Sequence, residues 1–224
     1  LKNETIKVKD LIFKIPPSEK VFFDNFENLL KVSDIKFNTL NGYPIVFTKK
    51  QLQPEEYQIT IEKNLITIHY SDYGGKFYSI ISLIQLLTHY KSSLPLGLIQ
   101  DSPTLNWRGM HLDCARQFYT INEIKRLLDY MSFFKLNRFH WHLTDNEAWR
   151  IELECYPNLT KVGAFRGYKE VIPPFYGTGY DKNGGYYSRA EIKELIEYAK
   201  LRNIEIMPEI DLPAHSWTLL QVMP

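Results

Sequence analysis

The stretch 206-IMPEIDLPAHSW-217 reads as an apolar strand that stops at a carboxylate, Asp211, and then turns through proline to a histidine, His215. Just upstream, Ile192, Leu195, Ile196 and Ala199 recur at helical spacing and continue to Asn203. That helix opens on 188-SRAE-191, a capping box in which Ser and Glu satisfy free backbone N–H groups reciprocally. The same order occurs once more before it. Arg108 to Asp113 is a short strand ending in a carboxylate. Thr120 to Glu123 is a second capping box, and Ile124, Leu127, Leu128, Met131 and Phe134 form one helical stripe. Arg138 to Leu143 is the next strand, running on to Asp145. Strands separated by single helices lie parallel, so the run is βαβαβ with polar residues at every strand's C-terminal end.

In a (β/α)8, or TIM, barrel those ends form the active face, and such a barrel takes roughly 250 residues. Trp107 to Pro224 supplies under half of that, so about the first three βα units are expected here. The first hundred residues are patterned differently. Tyr57 to Ile61 and Leu65 to Tyr70 alternate around Glu62-Lys63-Asn64 as a hairpin. Gly74-Gly75 then breaks the strand, and Phe77, Ile80, Ile81, Ile84 and Leu87 make a helix ending near His89. The expected fold is α/β: a small α+β domain over 1–103, then the first part of a barrel over 104–224.

Twenty-seven basic against 26 acidic side chains leave a net charge of +1, which gives no footprint for nucleic acid or an anionic membrane surface. No apolar run approaches the roughly 20 residues needed to span a bilayer. From Leu1 onward there is no charged-then-apolar leader, so an export signal is expected to be removed or absent. An aromatic content of 14% suits a sugar site and equally a well-filled core. Cys114 and Cys155 make neither a disulfide framework nor a zinc site; buried free thiols are the preferred reading over a bridge. Asn3-Glu4-Thr5 and Asn158-Leu159-Thr160 fit the N-glycosylation pattern without settling the compartment.

The chemistry-bearing residues sit at the strand ends. Arg116 follows the first strand in 112-LDCARQFY-119, Asp145 closes the second in 139-FHWHLTDNEAWRIE-152, and Asp211 and His215 close the third. A solvated rim explains any one of them; all three strands ending this way favours a site. Asp145 and Glu147 are too close in sequence to flank one glycosidic bond as a catalytic carboxylate pair. His140 and His142, two apart on a strand, share a face. Either one or both are hydrogen-bonded core histidines, the preferred reading, or they are ligands of one metal with Asp211 or His215.

Three segments in order, 112-LDCARQFY, 133-FFKLNRFHWHLTDNEAWRIE and 185-GYYSRAEIKELIEYAKLRNIEIMPEIDLPAH, resemble glycoside hydrolase family 20, the β-N-acetylhexosaminidases. The likeness runs from Trp107 onward, and residues 1–103 resemble the small domain that precedes the barrel in that family. The resemblance implies that Arg116 holds hydroxyls of a terminal sugar. It implies that Asp145 and His215 form a dyad serving the catalytic glutamic acid, and that Asp211 supports them. It also implies retaining, substrate-assisted hydrolysis of terminal β-linked GlcNAc or GalNAc on glycans, without metal or cofactor, in a secreted or periplasmic protein. The family's H-x-G-G-D-E motif, which carries the general acid and the aspartate orienting the acetamido group, is absent, and no Asp-Glu dipeptide occurs in the 224 residues. The family often has Asp-Asp where Asp145-Asn146 stands, and Pro-Gly-His where Pro213-Ala214-His215 stands.

The chain by itself is therefore expected to be inactive. It is also expected to self-associate, or to depend on a missing partner segment, because of an open edge and an uncovered apolar face at its third strand. A metal-dependent barrel hydrolase using His140 and His142, and a non-catalytic sugar-binding fragment, are the alternatives.

Overall fold

The computed structural model describes residues 4–8, 12–30, 35–91, 93–176 and 179–223, so Asn3 of the first glycosylation tripeptide and Pro224 lie outside the described residues. The chain forms two compact units, residues 1–106 with 132–135, and residues 107–131 with 136–224.

In the first unit six strands form one mixed sheet. They are β1 (Ile12–Lys14), β2 (Lys36–Asn38), β3 (Tyr43–Lys49), β4 (Tyr57–Ile61), β5 (Ile66–Tyr70) and β6 (Gly97–Asp101), and their spatial order is β2-β1-β3-β5-β4-β6. The β4–β5 hairpin is antiparallel, with Ile59 opposite Ile68 and, on the other side, Ile99. Alternation places Tyr57, Ile59 and Ile61 on the buried face, which packs with helix α1 (Tyr73–Tyr90). The glycine pair does not precede that helix as a break; it lies in its first turn. Asp72 caps the helix by accepting the Gly75 N–H at 2.8 Å. Gly75 is glycine because a Cβ there would sit 2.5 Å from the Glu56 carbonyl oxygen.

In the second unit the parallel strands are β7 (Gly109–Asp113), β8 (Arg138–Asp145) and β10 (Glu205–Ile210), with the two-residue β9 (Ala148–Trp149) folding back antiparallel on β8. Strand β8 is central, and His142 lies opposite both Asp113 and Glu209. Phe139, Trp141 and Leu143 point one way, into a core with Ile124, Leu128 and Met131 of α2 (Ile121–Phe133) and Leu195 and Ala199 of α3 (Arg189–Lys200). His140 and His142 take the opposite face, as period-two alternation requires.

Both capping boxes form. Glu123 accepts the Thr120 N–H at 2.7 Å, and Glu191 accepts the Ser188 N–H at 2.8 Å. Both helices also end alike. Lys135 and Asn203 take left-handed φ of 57°, and the next N–H reaches five residues back, Leu136 to Met131 and Ile204 to Ala199. The apolar stripes are narrower than their spacing indicates: Phe134 is exposed because α2 has already ended, and Ile196 faces outward from α3. Of the two thiols only Cys114 is buried. There it lies 3.2 Å from the Trp141 ring N–H, and burial pushes its pKa up to about 11. Cys155 is exposed in a turn, and neither cysteine is bridged. Among the described residues no helix is long and apolar enough to cross a membrane.

Candidate active site

The loop after β7 is held from beneath by a buried arginine. Arg150, 1% exposed, donates from Nε to the Cys114 carbonyl at 2.9 Å and from Nη2 to the Ala115 carbonyl at 2.9 Å. Its Nη1 donates to the carbonyls of Ala164 (2.5 Å) and Gly185 (2.8 Å). Burial lowers this guanidinium's pKa to about 10, which keeps it charged at neutral pH. Arg166 continues the cradle by donating to the Arg116 carbonyl at 2.5 Å. The backbone of 114–116 thus has its carbonyls satisfied by two buried cations, and Arg116 emerges from a fixed base.

The Arg116 side chain, about one-third exposed, meets three carboxylates. Nη1 lies 2.7 Å from Asp113 Oδ2, Nη2 lies 2.5 Å from Asp145 Oδ2, and Nε lies 3.5 Å from Glu147 Oε2. Burial works against its charge, but the three anions outweigh it and raise its pKa further above the ordinary arginine value. Asp145 and Glu147 are both buried, and neither Asp145 Oδ2 nor Glu147 Oε2 receives a well-aligned hydrogen bond. Burial first, then the Asp145 charge, lift the Glu147 carboxyl above its usual range against the pull of Arg116.

Two side chains at the end of β8 position the loop after β10. Thr144 Oγ1 accepts the Asp211 N–H at 3.0 Å. Asn146 Oδ1 accepts the Trp217 N–H at 3.1 Å, at the start of helix α4 (Trp217–Val222). The Asn146 carbonyl also takes the Thr218 hydroxyl at 2.6 Å. These tie-points bring His215 Nδ1 to 3.2 Å from Asp145 Oδ1. An Nδ1–H donated to Asp145 leaves Nε2 as the nitrogen that can accept or pass a proton. Nε2 has no partner among the described residues, and the side chain is half exposed. The left-handed residue of this loop is His215 itself, at φ 53°, and not Ala214. Glycine at 214 is therefore not demanded by the backbone, and the strain rests on the residue placed against Asp145.

Arg116, Asp145 and His215 are thus brought together around one carboxylate. Asp211 is nearby but turned to another neighbour, with its Oδ2 3.7 Å from His142 Nε2. His140 and His142 are not brought to one metal with Asp211 or His215. His140 pairs with Glu209 at 2.6 Å, and His142 is buried with Nε2 donating to the Thr144 carbonyl at 2.8 Å. Among the described residues, two groups hold possible ligand atoms within 4.8 Å of one another: His111, His142 and Glu209, and His142, Asp145 and Asp211. His140 is in neither. Sequence reasoning missed Asp113, Glu147, Arg150 and Arg166 as parts of this arrangement. The spacing Asp113-x-x-Arg116, a strand-end turn closed by its own side chains, was a signal for the first; nothing in the pattern marked the buried arginines.

Parallel strands alternating with helices, preceded by an α+β unit and ending in a shared cluster of Arg, Asp and His, are the arrangement of the first part of a (β/α)8 barrel with a candidate site at its strand ends. Residues 105–224 match the profile described as "Glycosyl hydrolase family 20, catalytic domain", and residues 15–102 that described as "Glycosyl hydrolase family 20, domain 2". The chain belongs to glycosyl hydrolase family 20. It is 39% identical over 182 residues to a β-hexosaminidase of Vibrio furnissii, covering 80% of this chain and 30% of that protein. It is 40% identical over 181 residues to an N,N'-diacetylchitobiase of Vibrio harveyi, covering 77% and 20%. A crystal structure of an exo-β-N-acetylglucosaminidase from Vibrio harveyi in complex with N-acetylglucosamine superposes with a TM-score of 0.88 at 31% identity. It covers all of this chain and 36% of that one. The chain therefore spans about a third or less of the length of these relatives, and its barrel portion is the first part of a TIM barrel.

Proposed function

We propose that this chain is part of an exo-acting β-N-acetylhexosaminidase that releases terminal β-linked GlcNAc or GalNAc from glycans. The observation that carries the reading is the contact of Asp145 with both Arg116 and His215 at the ends of parallel strands. In the substrate-assisted route the 2-acetamido oxygen attacks the anomeric carbon while a glutamic acid protonates the departing oxygen. Water then opens the cyclic intermediate, with net retention. Arg116 grips hydroxyls of the terminal sugar with the N–H groups its carboxylate partners leave over. Asp145 holds His215 as the Nδ1–H tautomer. Nε2 is thereby directed to the glutamic acid, whose proton it helps to hold and return. Asp211 supports this pair through the same loop. The acid and the acetamido-orienting aspartate are not among these 224 residues, so the chain by itself is expected to bind sugar weakly and not to turn it over.

Hydrolysis of an aryl β-N-acetylglucosaminide tests this in two preparations. The longer protein containing this chain should release the phenol and the 224-residue chain should not; turnover by the chain alone would sink the assignment of the missing acid. Asp145→Asn in the longer protein should lower kcat on the order of 10²-fold or more, the usual worth of a group governing proton transfer. An unchanged kcat removes Asp145 from the machinery.

A further inference from the structure

Asp113 closes β7 three residues before Arg116, and both of its oxygens are committed to that residue. Oδ1 accepts the Arg116 backbone N–H at 2.9 Å and Oδ2 accepts from Nη1 at 2.7 Å. We propose that Asp113 is a positioning residue that clamps Arg116 at two points, so that the guanidinium meets the sugar in one orientation while it stays on Asp145. The proposal rests on the reading of Arg116 as the sugar-holding residue.

The physical case is a competition among anions. Arg116 has Asp145 and Glu147 on one side, both buried, and Asp113 on the other, partly exposed. Remove the Asp113 charge and the guanidinium is pulled by two carboxylates with nothing opposing them. It then turns toward Glu147, whose Oε2 is buried without a hydrogen bond. The backbone does not follow, because Arg150 and Arg166 hold the carbonyls of 114–116 independently. A guanidinium carries five N–H donors. One is donated to Asp113, and the N–H groups that the carboxylates leave over suit hydroxyls of the sugar. Burial raises the Asp113 carboxyl, but the Arg116 N–H and guanidinium and the nearby His142 outweigh it, so the clamp is ionised at working pH. His142 Nδ1, 3.6 Å from Oδ1, is the other charged or titratable group facing it at ion-pair distance among the described residues.

The test uses the longer protein containing this chain and an aryl β-N-acetylglucosaminide. If the unaltered protein does not hydrolyse it, the underlying functional reading fails whatever Asp113 does. With an active protein, Asp113→Asn should raise KM, and the inhibition constant of free N-acetylglucosamine, about tenfold. Its kcat should stay within about threefold, the pattern of lost uniform binding. Asp113→Glu restores the charge on a longer arm and should recover part of that loss, while Asp113→Ala should not. Substrates lacking the 3- or the 4-hydroxyl should show a smaller Asn penalty on at least one of the two. An unchanged KM in Asp113→Asn overturns the proposal. So does a fall in kcat at constant KM, a Glu variant no better than the Ala variant, or an undiminished penalty on both deoxy substrates. Should Asp113→Asn fail to fold, the Glu and Ala variants carry the same comparison.

Discussion

The first unit buries Phe13, Phe26, Ile59 and Phe77, and Glu56 is its one charged residue among the described buried set. The second unit buries Asp145, Glu147 and Arg150 at the end of its central strand, and Arg166 against the Arg116 carbonyl. The physics of the two regions is opposite. Each apolar side chain taken from water contributes about 1.5–3 kcal/mol regardless of its partner's identity. A buried charge costs several kcal/mol and is tolerated only where hydrogen bonds and counter-charges match it closely. Aromatic packing such as the stacked Phe26–Phe77 pair, 4.9 Å between centroids, therefore builds a scaffold. The arginines and carboxylates of the second unit build one particular geometry at a cost in stability.

The comparison breaks most visibly at Arg150. Replacing it with Met leaves four carbonyls without their donor and should destabilise the protein by about 3–5 kcal/mol. Chemical denaturation measures that loss, and the fraction that remains folded should also show a raised KM. Ile59→Ala is the matched control: a fully buried apolar truncation costing about 2–5 kcal/mol with KM unchanged. Equal KM in the two variants would mean that the buried charge has no role beyond stability.

A smaller effect should come from Glu147. Its folded carboxyl titrates above the ordinary value, so the folded state binds the proton more tightly than the unfolded one. Its contribution is fully present below the unfolded carboxylate pKa and is lost as pH rises through the folded one. Glu147→Gln removes this term. The variant's melting temperature relative to the parent should therefore climb from pH 4 to pH 7. A difference that stays flat, or falls, would show that Arg116 has fully neutralised the carboxylate.

The smallest effect should come from Ala214→Gly. Because the left-handed φ falls on His215, glycine at 214 relieves nothing and adds chain entropy, so a loss of about 0.5–1 kcal/mol is expected with kcat unchanged. A clear gain in activity would contradict this assignment of strain.

Much of the frame was legible in residue pattern. Alternation in Tyr57–Ile61 and Phe139–Leu143, helical spacing in Ile124–Met131, and both capping boxes are local signals whose physics acts within one turn or one strand. Ile196 was misread because spacing specifies a face but not how much of it a neighbour covers, and Phe134 because spacing does not fix where the helix ends. Gly75 was misread because the need for glycine there arises from Glu56, nineteen positions away in sequence. Of the candidate residues, Arg116, Asp145 and His215 could be picked out, and the resemblance implied the Asp145–His215 dyad, but the contact of Arg116 with Asp145 was not legible.

By itself the sequence determined the element types, the parallel order of the barrel strands and the polar character of their ends, since periodicity and single-helix connections constrain these directly. Tertiary structure alone decided which carboxylate meets which cation. Asp113, Asp145 and Glu147 converge on Arg116 from two strand ends, and His215 reaches Asp145 across seventy residues. Burial then sets the strength of those contacts, because charge interactions depend on distance and local solvent, and neither quantity is written in residue spacing.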